Sequence, residues 1–285
     1  MTLQQPNLRP LSAREILYRA FRLYRAHLRL FIGITGVLLV PLGIVQVLAL
    51  VFFQNTNLVV PLQIFLYFLL FGALAWAASR VYLGFPASIG DAYQASMRRL
   101  KSLLGAFFLL AFAAIPAVFL VFLGAMGGGI RANTVFDPVL AVGLVAAGAL
   151  VGGLLALPYL IFLSIRWAVY IPGIIIEGIG ANAGLRRSWS LTSKDKLHVF
   201  GTLVIPVLLV YLVALLPGIL LGYTLLGALI SMPLSISASV ILYYDLRVRR
   251  EGYDLELAIK ITTEEPAISG EQGLPNPEQG ETHVP

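Results

Sequence analysis

Residues 103–130 read LLGAFFLLAFAAIPAVFLVFLGAMGGGI, a stretch without a single charged side chain. A helix needs about 20 apolar residues to cross the hydrocarbon core of a bilayer, and this stretch exceeds that length. The rest of the chain agrees, because 59% of its 285 residues are hydrophobic and 12% are charged, whereas a soluble domain carries about a quarter charged residues. The sequence therefore excludes a soluble globular protein and predicts an all-α, polytopic membrane protein.

Five stretches are uncharged and long enough to span a membrane: residues 30–53, 58–78, 103–130, 138–165 and 199–244. The backbone of a spanning segment must form its hydrogen bonds internally, which favours helices. The last stretch is about twice as long as one span requires, so we predict that it folds back near residues 217–223. The predicted fold is six transmembrane helices in one integral membrane domain, residues 1–256, followed by a disordered acidic cytoplasmic tail, residues 257–285.

The basic residues indicate the orientation. If the N-terminus is cytoplasmic, Arg131 is the only Lys or Arg on the outer side of the six spans. Cytoplasmic loops of membrane proteins carry an excess of Lys and Arg, so both termini are expected in the cytoplasm of a bacterium or archaeon, with the protein multi-pass in its plasma membrane. The long basic N-terminal region, without a small-residue cleavage site, is not typical of a signal peptide, and we expect the first span to be retained.

A threefold internal repeat is a further prediction, with units at about 11–86, 87–177 and 178–250. Each unit combines a basic amphipathic helix with two spans. In the first unit Ser12 and Glu15 have the spacing of a capping box, and an apolar stripe follows at helical spacing: Leu17, Phe21, Tyr24, Leu28 and Phe31. Such helices lie in the headgroup plane, so three of them are expected to form a cytoplasmic collar.

The polar faces of these three helices supply the candidate contacts to lipid headgroups. They are Arg22, Arg25 and Arg29 in the first, Arg98, Arg99 and Lys101 in the second, which begins at Ser88, and Arg186, Arg187 and Trp189 in the third. Clusters of this kind beside apolar runs are typical of contacts with anionic lipid.

Charged residues at the inner ends of the spans predict a polar cluster at the inner boundary: Arg80, Arg166, Glu177, Asp245 and Arg247. A buried charge costs several kcal/mol unless it is partnered, so we expect salt bridges among these groups. The alternative is simple topology anchoring by arginines whose charged heads reach the headgroup region.

Two motifs resemble a known family. One runs from Arg166-Trp167 through Pro172 and Glu177-Gly178 to AGLRRSWSL at 183–191, and the other is LYYDLRVRREGYDL at 242–255. Together they resemble the membrane domain that precedes the catalytic barrel of bacterial glycerophosphoryl diester phosphodiesterases, over roughly residues 10–256. The barrel supplies the histidines and metal-binding carboxylates of those enzymes, and residues 257–285 are too few to form it. The resemblance therefore implies a stand-alone membrane domain, to which phosphodiesterase activity is not carried over.

The remaining chemistry is sparse. The sequence has no cysteine and 3 histidines, and the histidines lack the partner spacing of a metal site, so we expect no catalytic, cofactor-binding or metal-binding residues. The polar residues of the spans, such as Gln46 and Gln63, are expected to be isolated. Short basic clusters beside apolar runs do not favour nucleic acid as a partner.

The sequence favours a non-catalytic membrane protein that binds or scaffolds anionic membrane lipids, a membrane-protein partner or further copies of itself. Two alternatives remain. Prolines and glycines in the spans permit a small-molecule or lipid transporter, although no ionisable residue lies at mid-span. The weaker alternative is an accessory subunit of a lipid-metabolising enzyme.

Overall fold

The computed structural model of the chain describes residues 9–135, 137–202, 204 and 224–253, and the elements within these ranges are all helical. The α-helices are α1 (Ala13–Ala26), α2 (Leu28–Phe53), α3 (Val60–Tyr82), α4 (Ile89–Ala132), α5 (Pro138–Arg166), α6 (Tyr170–Glu177), α7 (Ala181–Leu191) and α8 (Thr224–Glu251), and a short 3-10 helix covers Thr56–Val59. Residues 196–202 are also helical.

Four helices within the described ranges are long and apolar enough to cross a membrane: Leu28–Phe53, Asn57–Tyr82, Ile89–Ala132 and Pro138–Glu177. They contain the first four predicted spans, and the all-helical membrane class is thereby confirmed. The fifth predicted span lies mostly outside the described residues, as does the tail at 257–285. The sixth coincides with most of α8, so a total of six stays a prediction.

The centre of the bundle is formed by α3 and the second half of α8. Small residues of α3, including Ala73, Ala77 and Ala78, are fully buried, and residues 237–246 of α8 are buried on every face. The two helices pack against each other, and both contact α2 and α6. A helix buried all round is apolar all round, which explains why these stretches lack the one-sided periodicity of a surface helix.

The first basic helix forms as predicted, but its buried face differs. The capping box is present, because the Ser12 hydroxyl accepts the Glu15 N–H at 3.3 Å while Glu15 accepts the Ser12 N–H at 2.9 Å. The residues of α1 that are buried are Ile16, Ala20 and Tyr24, on the helix that packs against α8.

The predicted stripe is thus only partly turned inward. Tyr24 and Phe31 are buried, whereas Phe21 and Leu28 are exposed. Two apolar faces therefore flank the arginines of α1, one against the protein and one directed outward. The outward face fits a helix at a lipid boundary.

The second basic helix is not a separate element, which corrects the prediction of three interfacial helices. It is the first part of α4, a single helix of 44 residues that extends about 66 Å at 1.5 Å per residue. Its predicted start is confirmed, since Ser88 caps the helix and accepts the Asp91 N–H at 3.1 Å. The helix continues because no glycine–proline break separates the basic part from the span, and Pro116 is accommodated within it.

Helices α4 and α5 form a hairpin whose backbones approach closely at four glycines. A Cβ on Gly124 would lie 2.2 Å from the carbonyl oxygen of Gly148, and one on Gly152 would lie 2.3 Å from that of Leu120. A Cβ on Gly128 would approach the carbonyl oxygen of Leu144 in the same way. Small residues allow this approach between helices in lipid. Most of the remaining hairpin surface is apolar and exposed, as at Val139, which is 80% exposed.

The prediction that Gln46 and Gln63 are isolated is wrong. The Gln46 side-chain amide donates to the Gln63 side-chain oxygen at 2.9 Å, and Gln63 donates to the Tyr67 hydroxyl at 3.0 Å. These bonds join α2 to α3 within the spans, where polar side chains commonly hold helices together. The threefold repeat itself stays a prediction, because residues 203 and 205–223 of its third unit lie outside the described residues.

Candidate functional site

The polar groups of the described chain converge on residues 243–253, the last turns of α8 and the residues that follow. We call this the α8 end. It contacts α1, α3 and the α6–α7 pair, so its side chains are held between elements far apart in sequence. Both motifs of the family resemblance meet here, since Glu177 and Arg187 belong to the first and the α8 end to the second.

A first group of charges surrounds Glu177, the last residue of α6. Its carboxylate accepts the Arg187 Nε–H at 2.8 Å and the hydroxyl of Tyr243, while Arg247 lies 4.0 Å away. Arg187 also donates to Glu251 at 2.7 Å, and Arg247 donates to the same carboxylate at 3.1 Å. Two acids and two arginines therefore neutralise one another where α6, α7 and α8 meet. We call this the Glu177 cluster.

The charge pairing shifts the pKa values of this cluster. The hydrogen bond to Glu251 raises the pKa of Arg187 above its ordinary value, more than burial lowers it. Burial alone would raise the pKa of Glu251, but hydrogen bonds from Arg187 and Arg247 lower it below its ordinary value of 4.5. Both groups are therefore held in their charged forms.

A second group surrounds Asp245, which is only 2% exposed. Its carboxylate accepts the backbone N–H of Leu11 at 2.6 Å and the Arg249 Nε–H at 2.8 Å, and His198 Nε2 lies 2.9 Å away. Arg249 also donates to the carbonyl oxygen of Leu11. This arrangement fixes the segment before α1 and the helical segment 196–202 to α8.

A third contact joins α8 to α3. The hydroxyls of Ser79 and Tyr244 are 2.7 Å apart. The Tyr244 ring stacks on that of Tyr82 at a centroid distance of 5.6 Å, and Arg19 of α1 donates to the Tyr82 hydroxyl at 3.5 Å. The end of α3 is thereby linked to both α1 and α8.

Arg166 lies apart from the carboxylates. It is 9% exposed, and its guanidinium sits 4.5 Å from the ring centre of Trp189 and 5.3 Å from that of Phe162. Its carbonyl oxygen accepts the Ser188 hydroxyl at 2.9 Å, and Ser188 in turn accepts the Val169 N–H at 3.2 Å. The end of α5 is thus capped by α7, and the Arg166 charge faces aromatic rings.

Arg80 is placed in a similar way at the end of α3. Its Nε–H donates to the Pro86 carbonyl oxygen at 3.4 Å, and its guanidinium lies 4.8 Å from the Phe85 ring centre and 5.6 Å from that of Trp76. Cation–π contacts of this kind stabilise an arginine without a carboxylate.

The five residues predicted as one inner-boundary cluster therefore separate. Glu177 and Arg247 come together, Asp245 forms its own group, and Arg80 and Arg166 are stacked on aromatic rings. The expected salt bridges exist, but most of them join these residues to partners outside the predicted cluster. The partners are Arg187, His198, Arg249 and Glu251. The acid at Glu251, one turn beyond Arg247, is the signal that would have indicated a pair.

The predicted headgroup contacts are, with one exception, exposed. Arg187 is occupied by the Glu177 cluster, so it is not available to lipid. The others are exposed and have no ion-pair partner among the described residues; they are Arg22, Arg25, Arg29, Arg98, Arg99, Lys101 and Arg186. Trp189 is 39% exposed.

A groove of about 440 Å³ lies between α4 and α7. The two helices approach closely here, since a Cβ on Gly105 would lie 3.1 Å from the Cβ of Ala181. The groove walls include Leu109, Trp167, Asn182, Arg186, Trp189 and Ser190. Its surface is mostly apolar, with Leu185 also in the lining, and its polar side chains, Asn182, Arg186 and Ser190, all belong to α7.

Comparisons with family models, with curated proteins and with solved structures find no match for this chain. The fold and the site together define its class as an all-helical membrane protein. Its charged network and its groove are built from the ends of the helices.

Proposed function

We propose that this protein is a non-catalytic membrane domain that binds anionic lipids at the cytoplasmic face of a bacterial or archaeal plasma membrane and so serves as a lipid-binding scaffold. The observation that carries the proposal is the division of its cations into two sets. The internal arginines are neutralised by carboxylates, as Arg187 and Arg249 are, or stacked on aromatic rings. The predicted headgroup contacts at the surface, such as Arg22 and Arg99, are exposed and lack a described acidic partner, whereas Arg9 pairs with Glu15.

Exposed arginines beside exposed apolar side chains favour contact with a lipid headgroup. On α1, Arg22 and Arg25 lie beside Phe21 and Tyr18, which are 52% and 65% exposed. Aromatic side chains favour the membrane interface, and each basic residue near an anionic surface contributes about 1 kcal/mol.

The carboxylates support a structural rather than a catalytic role. Glu177 and Glu251 each contact two arginines, and Asp245 contacts Arg249, His198 and a backbone amide. A general base must be within reach of a substrate proton, whereas these groups are already engaged in joining helices. This supports a role for these carboxylates in holding the helices together.

Transport is less well supported by the groove. It lies beside α7 at the helix ends, and its polar residues belong to α7 and not to a mid-span region. The pair Gln46–Gln63 is the polar contact between α2 and α3 within the spans, and it is satisfied by the protein itself. A scaffold, alone or as the accessory subunit of another membrane protein, agrees better with this distribution.

Native mass spectrometry of the detergent-extracted protein tests the proposal. Anionic phospholipids are expected to remain bound in excess over their share of the host membrane, and replacing Arg22, Arg25 and Arg29 by Glu is expected to reduce the number retained. The matched control is Arg131→Glu, at the other end of α4. Retention of lipids in the same proportions as the bulk membrane, unchanged by the triple variant, contradicts lipid binding as the function.

A further inference from the structure

We propose that the groove between α4 and α7 binds one anionic phospholipid, with the lipid phosphate at Arg186 and an acyl chain along α4. The inference rests on the lipid-binding function proposed above and assigns that function a site. The occupant is a lipid of the surrounding leaflet because the groove has a charged and polar part on α7, with Arg186, Asn182 and Ser190, beside an otherwise apolar lining, the same division that a phospholipid has.

The charged wall belongs to α7. Arg186 is exposed and pairs with no carboxylate in the described ranges, in contrast to its neighbour Arg187, which is bound by two. Asn182 lies four residues earlier and so on the same face of the helix; both residues line the groove. A guanidinium and an amide together offer several N–H donors to phosphate oxygens. Ser190 adds a hydroxyl at the groove edge.

The apolar wall belongs to α4 and continues beyond the groove. Leu109 lines it, and Phe112, one turn further along α4, is 74% exposed. On the opposite side the Trp189 ring meets Phe162 of α5 at 5.6 Å between ring centres. The hydroxyl of Tyr159 donates to the Ala113 carbonyl oxygen at 2.7 Å, which keeps α4 and α5 together at this level. An acyl chain leaving the groove would therefore follow a continuous hydrocarbon surface.

A buried cation favours an anionic over a zwitterionic headgroup. The Arg166 guanidinium lies behind the Trp189 ring, 4.5 Å from its centre, and no described carboxylate pairs with it. Arg166 thus adds a second positive charge beside Trp189, which lines the groove together with Arg186. In surroundings of low dielectric such charges act over a longer distance than they do in water.

Tryptophan quenching by brominated lipids tests the site directly. The full-length chain contains 3 tryptophans, and Trp76→Phe leaves only Trp167 and Trp189, which both line the groove. The protein is reconstituted in phosphatidylcholine vesicles that contain either dibrominated phosphatidylglycerol or dibrominated phosphatidylcholine at the same mole fraction. The ratio of the two quenching efficiencies measures selectivity for the anionic lipid.

We expect the anionic lipid to quench more strongly, and Arg186→Gln to lower this selectivity about fivefold, the effect of about one basic residue at an anionic surface. Arg131→Gln, at the other end of α4, is the matched control and is expected to leave the selectivity unchanged. The unfolding temperature of each variant verifies that the fold is intact, which is expected because both side chains are exposed. Equal quenching by the two lipids, or no effect of Arg186→Gln, overturns the site.

Two further arms identify the source of the phosphate and separate this inference from the function. Soluble glycerol phosphate is expected not to relieve quenching, since it lacks an acyl chain; relief at millimolar concentration would mean that the groove takes a free headgroup, and would overturn the lipid assignment. If native mass spectrometry detects retained anionic lipid while Arg186→Gln leaves quenching unchanged, the site is wrong and the function stands. If neither measurement detects selectivity, the function itself fails.

Discussion

The carboxylate of Asp245 accepts the backbone N–H of Leu11 at 2.6 Å, across a separation of 234 residues. The bond joins the segment before α1 to the end of α8, and Arg249 completes it by contacting both residues. Because Asp245 is 2% exposed, its charge is stabilised by these partners and not by water. The arrangement makes Asp245 the residue on which the assembly of α1, α8 and the segment at 196–202 depends.

Replacing Asp245 by Ala is expected to destabilise the protein by about 3–5 kcal/mol, the usual cost of removing one partner from a buried ion pair. The substitution leaves Arg249 and the Leu11 amide without their acceptor. The free energy of unfolding in detergent, measured by chemical denaturation, gives the size of the effect. Arg9→Ala is the control, because its ion pair with Glu15 is exposed on both sides, and only a small loss is expected. Equal losses in both variants would disprove the central role of Asp245.

The glycines between α4 and α5 give a second prediction. Gly148→Ala is expected to cost about 1–3 kcal/mol, because the added methyl carbon would lie 2.1 Å from the carbonyl oxygen of Gly124 and force the helices apart. Gly153→Ala is the matched control, since nothing lies within 4 Å of its Cβ position. The control is expected to be neutral or slightly stabilising, because alanine favours a helix. The unfolding temperatures of the two variants test this prediction. If Gly153→Ala lowered the unfolding temperature and Gly148→Ala left it unchanged, the result would contradict the close approach of α4 and α5.

Two kinds of feature were predictable from sequence, and both are local. The four spans follow from uninterrupted apolar length, and the starts of α1 and α4 follow from Ser12 and Ser88, whose capping partners lie three residues away. The continuity of α4 does not follow from the sequence pattern, because a basic amphipathic stretch followed by an apolar stretch also fits two separate helices. In α4 this change of pattern marks only a change of surroundings along one helix.

The polar network was less accessible, because its partners are distant in sequence. Arg187 contacts Glu251 across 64 residues, and His198 contacts Asp245 across 47. No rule of sequence spacing predicts such pairs. They form because α7 and the segment at 196–202 pack against α8 in the folded protein. The sequence indicates that charges at span ends need partners, but the choice of partner depends on the packing.

The charge pairing at Glu251 predicts a dependence of stability on pH. Its pKa is lowered in the folded state by Arg187 and Arg247, so the stabilisation is fully present above its ordinary pKa of 4.5 and is lost as the pH falls through the lowered folded value. Glu251→Gln is expected to lower the unfolding temperature at neutral pH. On acidification, the difference in unfolding temperature between this variant and the parent protein is expected to become smaller. A difference that grows toward acidic pH would contradict the ion pair.

The contacts at the α8 end bring together the residues on either side of one apolar stretch. Glu177 and Arg187 precede the stretch at 199–244, and Tyr243 and Glu251 end or follow it, yet the four residues form one cluster. The described residues before and after the stretch therefore lie on one side of the protein. The number of crossings within the stretch, and the total of six spans, stay predictions.

Reporter fusions in a bacterial host test this topology. Green fluorescent protein fused after Tyr253 is expected to fluoresce, because the Lys and Arg clusters favour a cytoplasmic location for the α8 end. Alkaline phosphatase inserted after Asn133, in the turn between α4 and α5, is expected to be active, since that turn is on the opposite side. The same phosphatase after Asn182 in α7 serves as the inactive control. Activity after Asn182 combined with inactivity after Asn133 would invert the orientation, and with it the assignment of the exposed arginines to the inner leaflet. Phosphatase activity after Asn182 together with loss of fluorescence after Tyr253 would place both positions on the outer side; the contacts between α7 and the α8 end require only that the two positions share a side.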